Sequence, residues 1–505
     1  MNRLVCSALA CCFLLYPSLQ GSEPEKGAAR WPQFRGEGAL GLATDEKKLP
    51  VQFGPDRNLL WKTQLPPGHS SPCIWENRIF LTAYDRDAKK LETIALDRTD
   101  GRILWRQVAP AEKIEKAHEA GSPAVGTPTS DGKRVYVYFG SYGLICYDFE
   151  GKEIWKKPLP MPLTFQGNGT SPILAGDLLL LHREFMPEPS LTAFNRQTGE
   201  IVWKKTYRLA SHFGPNNGYS TPVIWHAPEG DEIIIHSPTK VTAHSLKDGA
   251  ERWFLRLTST ACTTPVVGDG MLFVVGFFNG TEPGESDVMP TFDELLKRAD
   301  KDGDGQISKE EMPADLSIFK RPETTGISGT ALTLKFIFGG IDRNFNGKVD
   351  RQEWEAFVKS NSERRAKVQD GLVAIKSRGT GEITEQQVAW REKRSLPEVP
   401  SPLCYRGRLY LVRDGGVMSC LDAKTGKLMY RERLKAAGPY FASPVAGDGK
   451  IYVASRDGVV VVLAAGDKLD VLARVNLGES IAATPALVDG RVYVRTENHL
   501  YAFGE

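Results

Sequence analysis

A Ser/Thr-Pro step that opens a short apolar run occurs eight times in this 505-residue chain: Ser71-Pro72, Thr127-Pro128, Ser171-Pro172, Thr221-Pro222, Thr264-Pro265, Ser401-Pro402, Ser443-Pro444 and Thr484-Pro485. Successive prolines stand 41 to 56 residues apart, except between Pro265 and Pro402, where the interval is 137. A turn follows each step, such as Gly447-Asp448-Gly449 or Val488-Asp489-Gly490, and then an alternating run such as Arg491-Val492-Tyr493-Val494. A second string, loosely A-x-D-x-x-T-G-x-x-x-W, closes most units. It runs from Ala95 to Trp105, from Ala193 to Trp203 and, with Tyr in the last place, from Cys420 to Tyr430. Looser copies end at Trp155, Trp253 and Trp390. A period of roughly 40 to 50 residues, with several short strands per unit, marks sheets repeated radially about an axis. Eight openings predict an all-β, eight-bladed β-propeller.

The last unit stops at Ala502-Phe503-Gly504-Glu505, where its closing strand is due, while Asn58 to Leu65 carries Trp61 with no opening unit ahead of it. The N-terminal strand is therefore expected to complete the last blade, which leaves no unpaired sheet edge. The expected organisation is a signal segment at 1–21, a lead-in at 22–57, a first propeller part at 58–278, an insertion at 279–370 and a second propeller part at 371–505.

The insertion explains the long interval. Asp300 to Glu311 reads D-K-D-G-D-G-Q-I-S-K-E-E, and Asp342 to Glu353 reads D-R-N-F-N-G-K-V-D-R-Q-E. Both fit D-x-[DN]-x-[DN]-G-x5-E, the calcium loop of an EF-hand. Side-chain oxygens at positions 1, 3 and 5 come from Asp300, Asp302 and Asp304, and from Asp342, Asn344 and Asn346. Position 7 needs only a backbone carbonyl, which Gln306 and Lys348 supply. Ser308 and Asp350 stand at position 9, where coordination often runs through water, and Glu311 and Glu353 provide the bidentate carboxylate at position 12. Helix-forming sequence flanks the loops, and Ile307 and Val349 suit a short β-bridge between them. Two calcium ions are expected, the first loop binding more tightly, because it offers four side-chain carboxylates against three.

Charge and composition narrow the remaining classes. With 64 basic and 62 acidic side chains the net charge is +2, so no global field draws in nucleic acid or an anionic membrane. No internal stretch approaches the roughly eighteen apolar residues of a spanning helix, so no transmembrane segment is expected. At the N-terminus, Asn2-Arg3, the apolar run Leu4 to Leu15 and small or polar residues up to Gly21-Ser22 have the layout of a secretory signal. A secreted or periplasmic protein is expected. The string Ala8-Leu9-Ala10-Cys11 hints at a lipoprotein site but fits poorly, since the apolar run continues past the cysteine. Beyond the signal, Cys73, Cys146, Cys262, Cys404 and Cys420 are odd in number and spread over distant blades, so buried thiols are expected rather than disulfides. His182 and His236 lie in strand runs and are read as core histidines.

The S/T-P opening, the Trp closure and the eightfold count resemble the PQQ-like β-propellers, as does the opening Trp31-Pro32-Gln33-Phe34-Arg35-Gly36. The resemblance covers about residues 31–280 and 370–505. That superfamily includes quinoprotein alcohol and glucose dehydrogenases and the scaffold lipoprotein of the outer-membrane β-barrel assembly machinery. The dehydrogenases resemble one another in an adjacent-cysteine disulfide beside the quinone, yet the one Cys-Cys here, Cys11-Cys12, falls in the signal. Their calcium trio of Glu, Asn and Asp is not placed on this chain. His69, Asn168, His212, Asn216 and Asn217 precede inner strands and would converge at one mouth of the channel, as ligand-binding candidates or as turn residues. No catalytic residue is assigned and PQQ is admitted but not expected. The sequence thus points to a calcium-binding scaffold or binding module with a protein or extracellular ligand on the propeller face, and the competing class is a PQQ-dependent oxidoreductase.

Overall fold

The computed structural model describes residues 29–45, 47–118, 120–164, 166–207, 209, 218–226, 229–282, 285–286, 288–320, 331–436 and 438–505. The signal segment and His212, Asn216 and Asn217 lie outside the described residues. Eight antiparallel sheets follow one another around a ring, each built on four strands. Blade one is Cys73–Trp75, Arg78–Asp85, Lys90–Asp97 and Ile103–Val108, from the channel outwards. In blade eight, Ala486–Val488, Arg491–Arg495 and His499–Phe503 are completed by Leu59–Gln64, which pairs antiparallel with His499–Phe503. The ring is closed by the strand that the sequence supplies at its other end.

The Ser/Thr-Pro step has a physical reason. In all eight blades the backbone N–H of the Ser or Thr donates to the hydroxyl of the same residue in the next blade. Ser71 donates to Thr127, Thr127 to Ser171, Ser171 to Thr221, Thr221 to Thr264, Thr264 to Ser401, Ser401 to Ser443, Ser443 to Thr484 and Thr484 back to Ser71, at 2.9–3.3 Å. The result is a closed belt around the channel. The hydroxyl satisfies an amide that the three-residue inner strand leaves unpaired, and the proline that follows adds no further donor.

The outer string has an equally local cause. Five closing tryptophans lie on the glycine turn of the next blade, and each indole N–H donates to a backbone carbonyl there. Trp61 reaches Arg98, Trp105 reaches Phe149, Trp155 reaches Arg196, Trp203 reaches Leu246 and Trp390 reaches Ala423, at 2.8–3.1 Å. A Cβ at Gly151, Gly199, Gly249 or Gly426 would stand 2.5–2.7 Å from the indole of the preceding blade, so only glycine fits. Apolar residues of adjacent blades interleave behind these contacts, as Cys73, Phe80 and Ala95 do with Val135, Val137 and Tyr147.

Where the pattern weakens, the local structure differs. Trp253 turns to Glu232 of its own blade, with Nε1 to Oε2 at 3.0 Å. Gly381–Glu382 pairs parallel to Glu251–Arg256 as a fifth strand and covers that blade.

The lead-in segment is built into the ring. Arg30–Trp31 pairs with Cys73–Trp75, and Ser130 N donates to Pro32 O at 2.8 Å. Fully buried Arg35 donates from Nη2 to Pro402 O at 2.5 Å, and Gly41 and Ala43 exchange hydrogen bonds with Ala446 at 2.8 Å. Between residues 30 and 43 the chain thus passes from blades one and two, beside the Val223 strand of blade four, to blades six and seven. It crosses the channel at the downstream ends of the inner strands.

The insertion leaves blade five between Met271–Gly276 and Gly371–Ile375, which pair with each other. It has its own core of Phe292, Leu295, Ile307, Phe338, Ile341, Val349 and Trp354. Helices Phe292–Ala299 and Arg351–Ala366 enter the first loop and leave the second. Between the loops, the flanking helices expected from sequence are replaced by a strand pair, Ser317–Lys320 with Ala331–Thr333, and a four-residue helix, Phe338–Ile341. Pro313 cannot supply the amide a helix leaving the first loop needs, and Gly339 and Gly340 weaken the helix entering the second. The five cysteines among the described residues are free thiols.

Candidate functional site

The two calcium loops are organised alike. Asp300 accepts from the amides of Gly303 and Gly305 at 2.8 and 3.0 Å, and Asp342 from those of Asn346 and Gly347 at 3.2 and 2.9 Å. Glu311 accepts from Lys301 and Ser308, and Glu353 from Arg343, Asn344 and Asp350. Gly305 and Gly347 have φ of +78° and +83° with nothing near a would-be Cβ, so the turn, not space, demands glycine. In the second loop Asp350 is also the N-cap of Arg351–Ala366, and Glu353 its capping-box partner. Ser308 and Glu311 form the same reciprocal pair in the first loop. Ser308 and Lys348 face each other in the β-bridge between loops, beside Ile307 and Val349.

These side chains fit a calcium ion. One oxygen from each of Asp300, Asp302 and Asp304 lies within 4.8 Å of the others. That is within the roughly 5 Å that ligands 2.3–2.6 Å from one calcium can span. Hydrogen bonds from the Ser308 and Lys301 amides hold the Glu311 carboxyl down to about 2, so it is ionised. Gln306 and Lys348 hold the backbone positions of the two loops, with their amides on Asp304 and Asn346.

A second feature is a cavity of about 610 Å³ at the upstream ends of the inner strands, opposite the crossing lead-in segment. His69, Arg86, Glu115, His118, Arg456 and Glu497 are among the residues that line it. Burial, and then the charges of Arg456, Arg495 and Arg86, push His69 down to about 3, so its ring is neutral. Glu115 is 4 % exposed, and among the described residues no hydrogen bond of normal geometry reaches either carboxylate oxygen. Burial pushes it up to about 8, with the Asn168 amide and the Arg183 charge opposing only in part. Gly140 makes room for it: a Cβ there would meet its Oε2 at 2.5 Å.

Of the predicted mouth residues, His69 lines the cavity. Asn168 is buried beside it, with its Oδ1 accepting from the Thr170 amide at 3.2 Å, which is turn chemistry. The core histidines are buried: His236 Nδ1 meets the Thr263 carbonyl at 3.0 Å, and His182 Nε2 lies 3.7 Å from Glu184. Sequence reasoning missed Glu115, Arg86 and Arg456. A signal existed for one further group: second strands ending in Arg183, Arg413 and Arg495, all buried, whose guanidiniums cap carbonyls or acids around this face.

The cavity wall is made by connections into inner strands (Pro67 to His69, Gly121 to Pro123, Ser480 and Ala482) and by turns between second and third strands (Arg86, Arg456, Glu497). The EF-hand pair replaces that same turn in blade five and so stands on the cavity face. Its base is clasped. Thr281 Oγ1 donates to Asp370, joining the two ends, and Gln369 exchanges hydrogen bonds with Thr258 of blade four at 2.7 and 3.0 Å. Arg413 of blade six, buried, pairs with Glu282 at 2.9 Å and with buried Glu285.

Comparison with known proteins defines the class first. The architecture is that of the PQQ-like propellers, with an EF-hand model matching residues 292–312 and 337–358. The model described as outer membrane protein assembly factor BamB matches residues 22–164, 187–296 and 369–471, over half of the chain, and the chain belongs to that family. No curated protein sequence matches it. Among solved structures, BamB from Moraxella catarrhalis is 12% identical, with a TM-score of 0.51 over 88% of this chain and 98% of that one. Quinohemoprotein alcohol dehydrogenase from Comamonas testosteroni is 12% identical, with a TM-score of 0.53 over 94% and 81%. A europium-containing methanol dehydrogenase is 14% identical, with a TM-score of 0.53 over 94% and 98%. Likeness at this identity shows the fold alone. Among the described residues no helix is long and apolar enough to cross a membrane.

Proposed function

We propose that the protein is a calcium-binding scaffold, a propeller that holds a partner protein or extracellular ligand on the face shared by its cavity and its EF-hand pair. The placement of the insertion carries this reading: a second unit with its own core is clasped to blades four and six on the cavity face. Both loops, Asp300 to Glu311 and Asp342 to Glu353, hold one calcium each. Outside the cell, dissociation constants of about 10⁻⁴ to 10⁻³ M suffice to keep them filled, so the ions are structural. The family's BamB name, that of an assembly factor, supports a protein partner. The apolar N-terminal run supports a secreted or periplasmic location, and anchoring through Cys11 fits less well.

A second reading, a quinone-dependent oxidoreductase, is favoured by the polar cavity of about 610 Å³ and by likeness to two dehydrogenases. One experiment separates the two. Purified protein is incubated with PQQ and calcium, desalted, and examined by visible absorption and dye-linked alcohol oxidation. The scaffold reading expects calcium binding by calorimetry with neither retained quinone nor turnover; retained quinone with turnover establishes the enzyme.

A further inference from the structure

Lys348 stands at position 7 of the second loop, where calcium needs its carbonyl and has no use for its side chain. The β-bridge sets Lys348 opposite Ser308 and so beside the first loop. Its ammonium crosses over and pairs with two of that loop's ligands, at 3.3 Å from Asp302 Oδ2 and closer still to Asp304 Oδ2. The relation is one-sided, because position 7 of the first loop is the uncharged Gln306. The three-carboxylate cluster of Asp300, Asp302 and Asp304 thus already holds a cation, tethered to the other loop.

We propose that Lys348 is a built-in competitor for the first calcium site, so that the second loop fills first although it has fewer carboxylates. This rests on the calcium reading of both loops. A divalent ion seated among Asp300, Asp302 and Asp304 cannot share Asp302 and Asp304 with an ammonium at salt-bridge distance. Either the lysine leaves, giving up both pairs, or it stays and repels the ion across about 4 Å. Both routes weaken the first site. Neither touches the second, whose side-chain ligands (Asp342, Asn344, Asn346, Asp350 and Glu353) make no contact with the ammonium among the described residues. The ranking expected from carboxylate counts is therefore inverted.

Calorimetry with calcium on the full chain tests this in two backgrounds. Glu353→Gln leaves the first site, and Glu311→Gln leaves the second. Adding Lys348→Met should tighten the first site about tenfold in the Glu353→Gln protein and leave affinity unchanged in the Glu311→Gln protein. Lys348→Arg, which keeps the charge, should behave like Lys348. Lys348→Gln, polar and uncharged, serves as a second variant should the methionine disturb the fold. An unchanged first site in both uncharged variants, or a gain at the second site instead, overturns the proposal. Absence of calcium binding in the unsubstituted protein overturns the loop assignment itself.

Discussion

Each blade of the ring is fastened to the next by contacts that recur, whereas the insertion is fastened to the ring by contacts that occur once. The belt of hydroxyl-to-amide bonds is the same in all eight blades, and the indole on a glycine turn recurs at five junctions. The clasp around Arg413, Glu282, Glu285, Thr281 and Asp370 has no counterpart elsewhere among the described residues. Repetition spreads the load, so a ring of this kind should tolerate the loss of one belt bond but not of closure. A single clasp concentrates it, so the insertion should depend heavily on one buried arginine.

Closure gives the largest expected effect. Removing Asn58 to Leu65 takes away Leu59–Gln64, exposes the edge of His499–Phe503 and strips Trp61 from its turn. Aggregation or a collapse of the melting temperature is expected, measured by light scattering and calorimetry; a monomeric truncation with unchanged melting would sink the closure argument. Next in size is Arg413→Met. It leaves Glu282 and buried Glu285 without their cation, which costs about 3–5 kcal/mol for a broken buried pair. The loss should show in hydrogen exchange at residues 279–290 and at blade six, while blades one to three keep their protection.

The same contrast governs what the sequence revealed. The ring was legible because the Ser/Thr-Pro step performs one job in eight blades and the tryptophan on a glycine turn another at five junctions, and a period is visible without knowing the job. The calcium loops were legible because the side-chain ligand positions and the glycine turn of a coordination loop restrict residue type. Residues 30 to 43 gave no such sign: Trp31 and Arg35 are unique in the chain's plan, and nothing local announces that the segment crosses the channel. The sequence flanking the loops read as helix-forming, while on the side between them Pro313 and the Gly339-Gly340 pair overruled it. Glu115 was invisible because its burial arises from distant elements, Gly140 and Asn168, that no spacing connects.

Two smaller changes sharpen the comparison within the ring. Thr127→Val removes one hydroxyl of the belt and leaves the Ser71 amide unpaired, for an expected loss of about 1–3 kcal/mol by denaturant titration. A loss several times larger would mean that the belt acts as a unit. Glu115→Gln tests a polar group that does not recur. Its folded value of about 8 lies above the ordinary 4.5, so the folded state holds the proton to higher pH than the unfolded chain. Stability from this group is full below about 4.5 and is lost as pH rises towards 8. The variant should therefore melt about 2–4 °C higher than the native chain at pH 9 and match it near pH 4. Equal melting at both values would show that Glu115 is ionised and partnered in solution.

The smallest effect on the ring is expected from removing calcium, and that is what makes it informative. The loops contribute to the insertion's own core through Ile307 and Val349, which share a cluster with Phe292 and Trp354 but with no blade residue. The ring's belt, its indole contacts and its closing strand involve no loop ligand. Chelation should then strip exchange protection from residues 292–366, lower the cooperativity of the insertion and leave the ring's melting temperature in place. The clasp sets the boundary of the effect. Lys320 N donates to Glu285 O at 2.5 Å, and Arg365 donates to the Ile318 carbonyl at 3.3 Å, so loosening should reach the linker and the Arg413 contact. Protection lost across all eight blades would mean that calcium holds the ring, and the division between a repeated ring and a clasped appendage would fall.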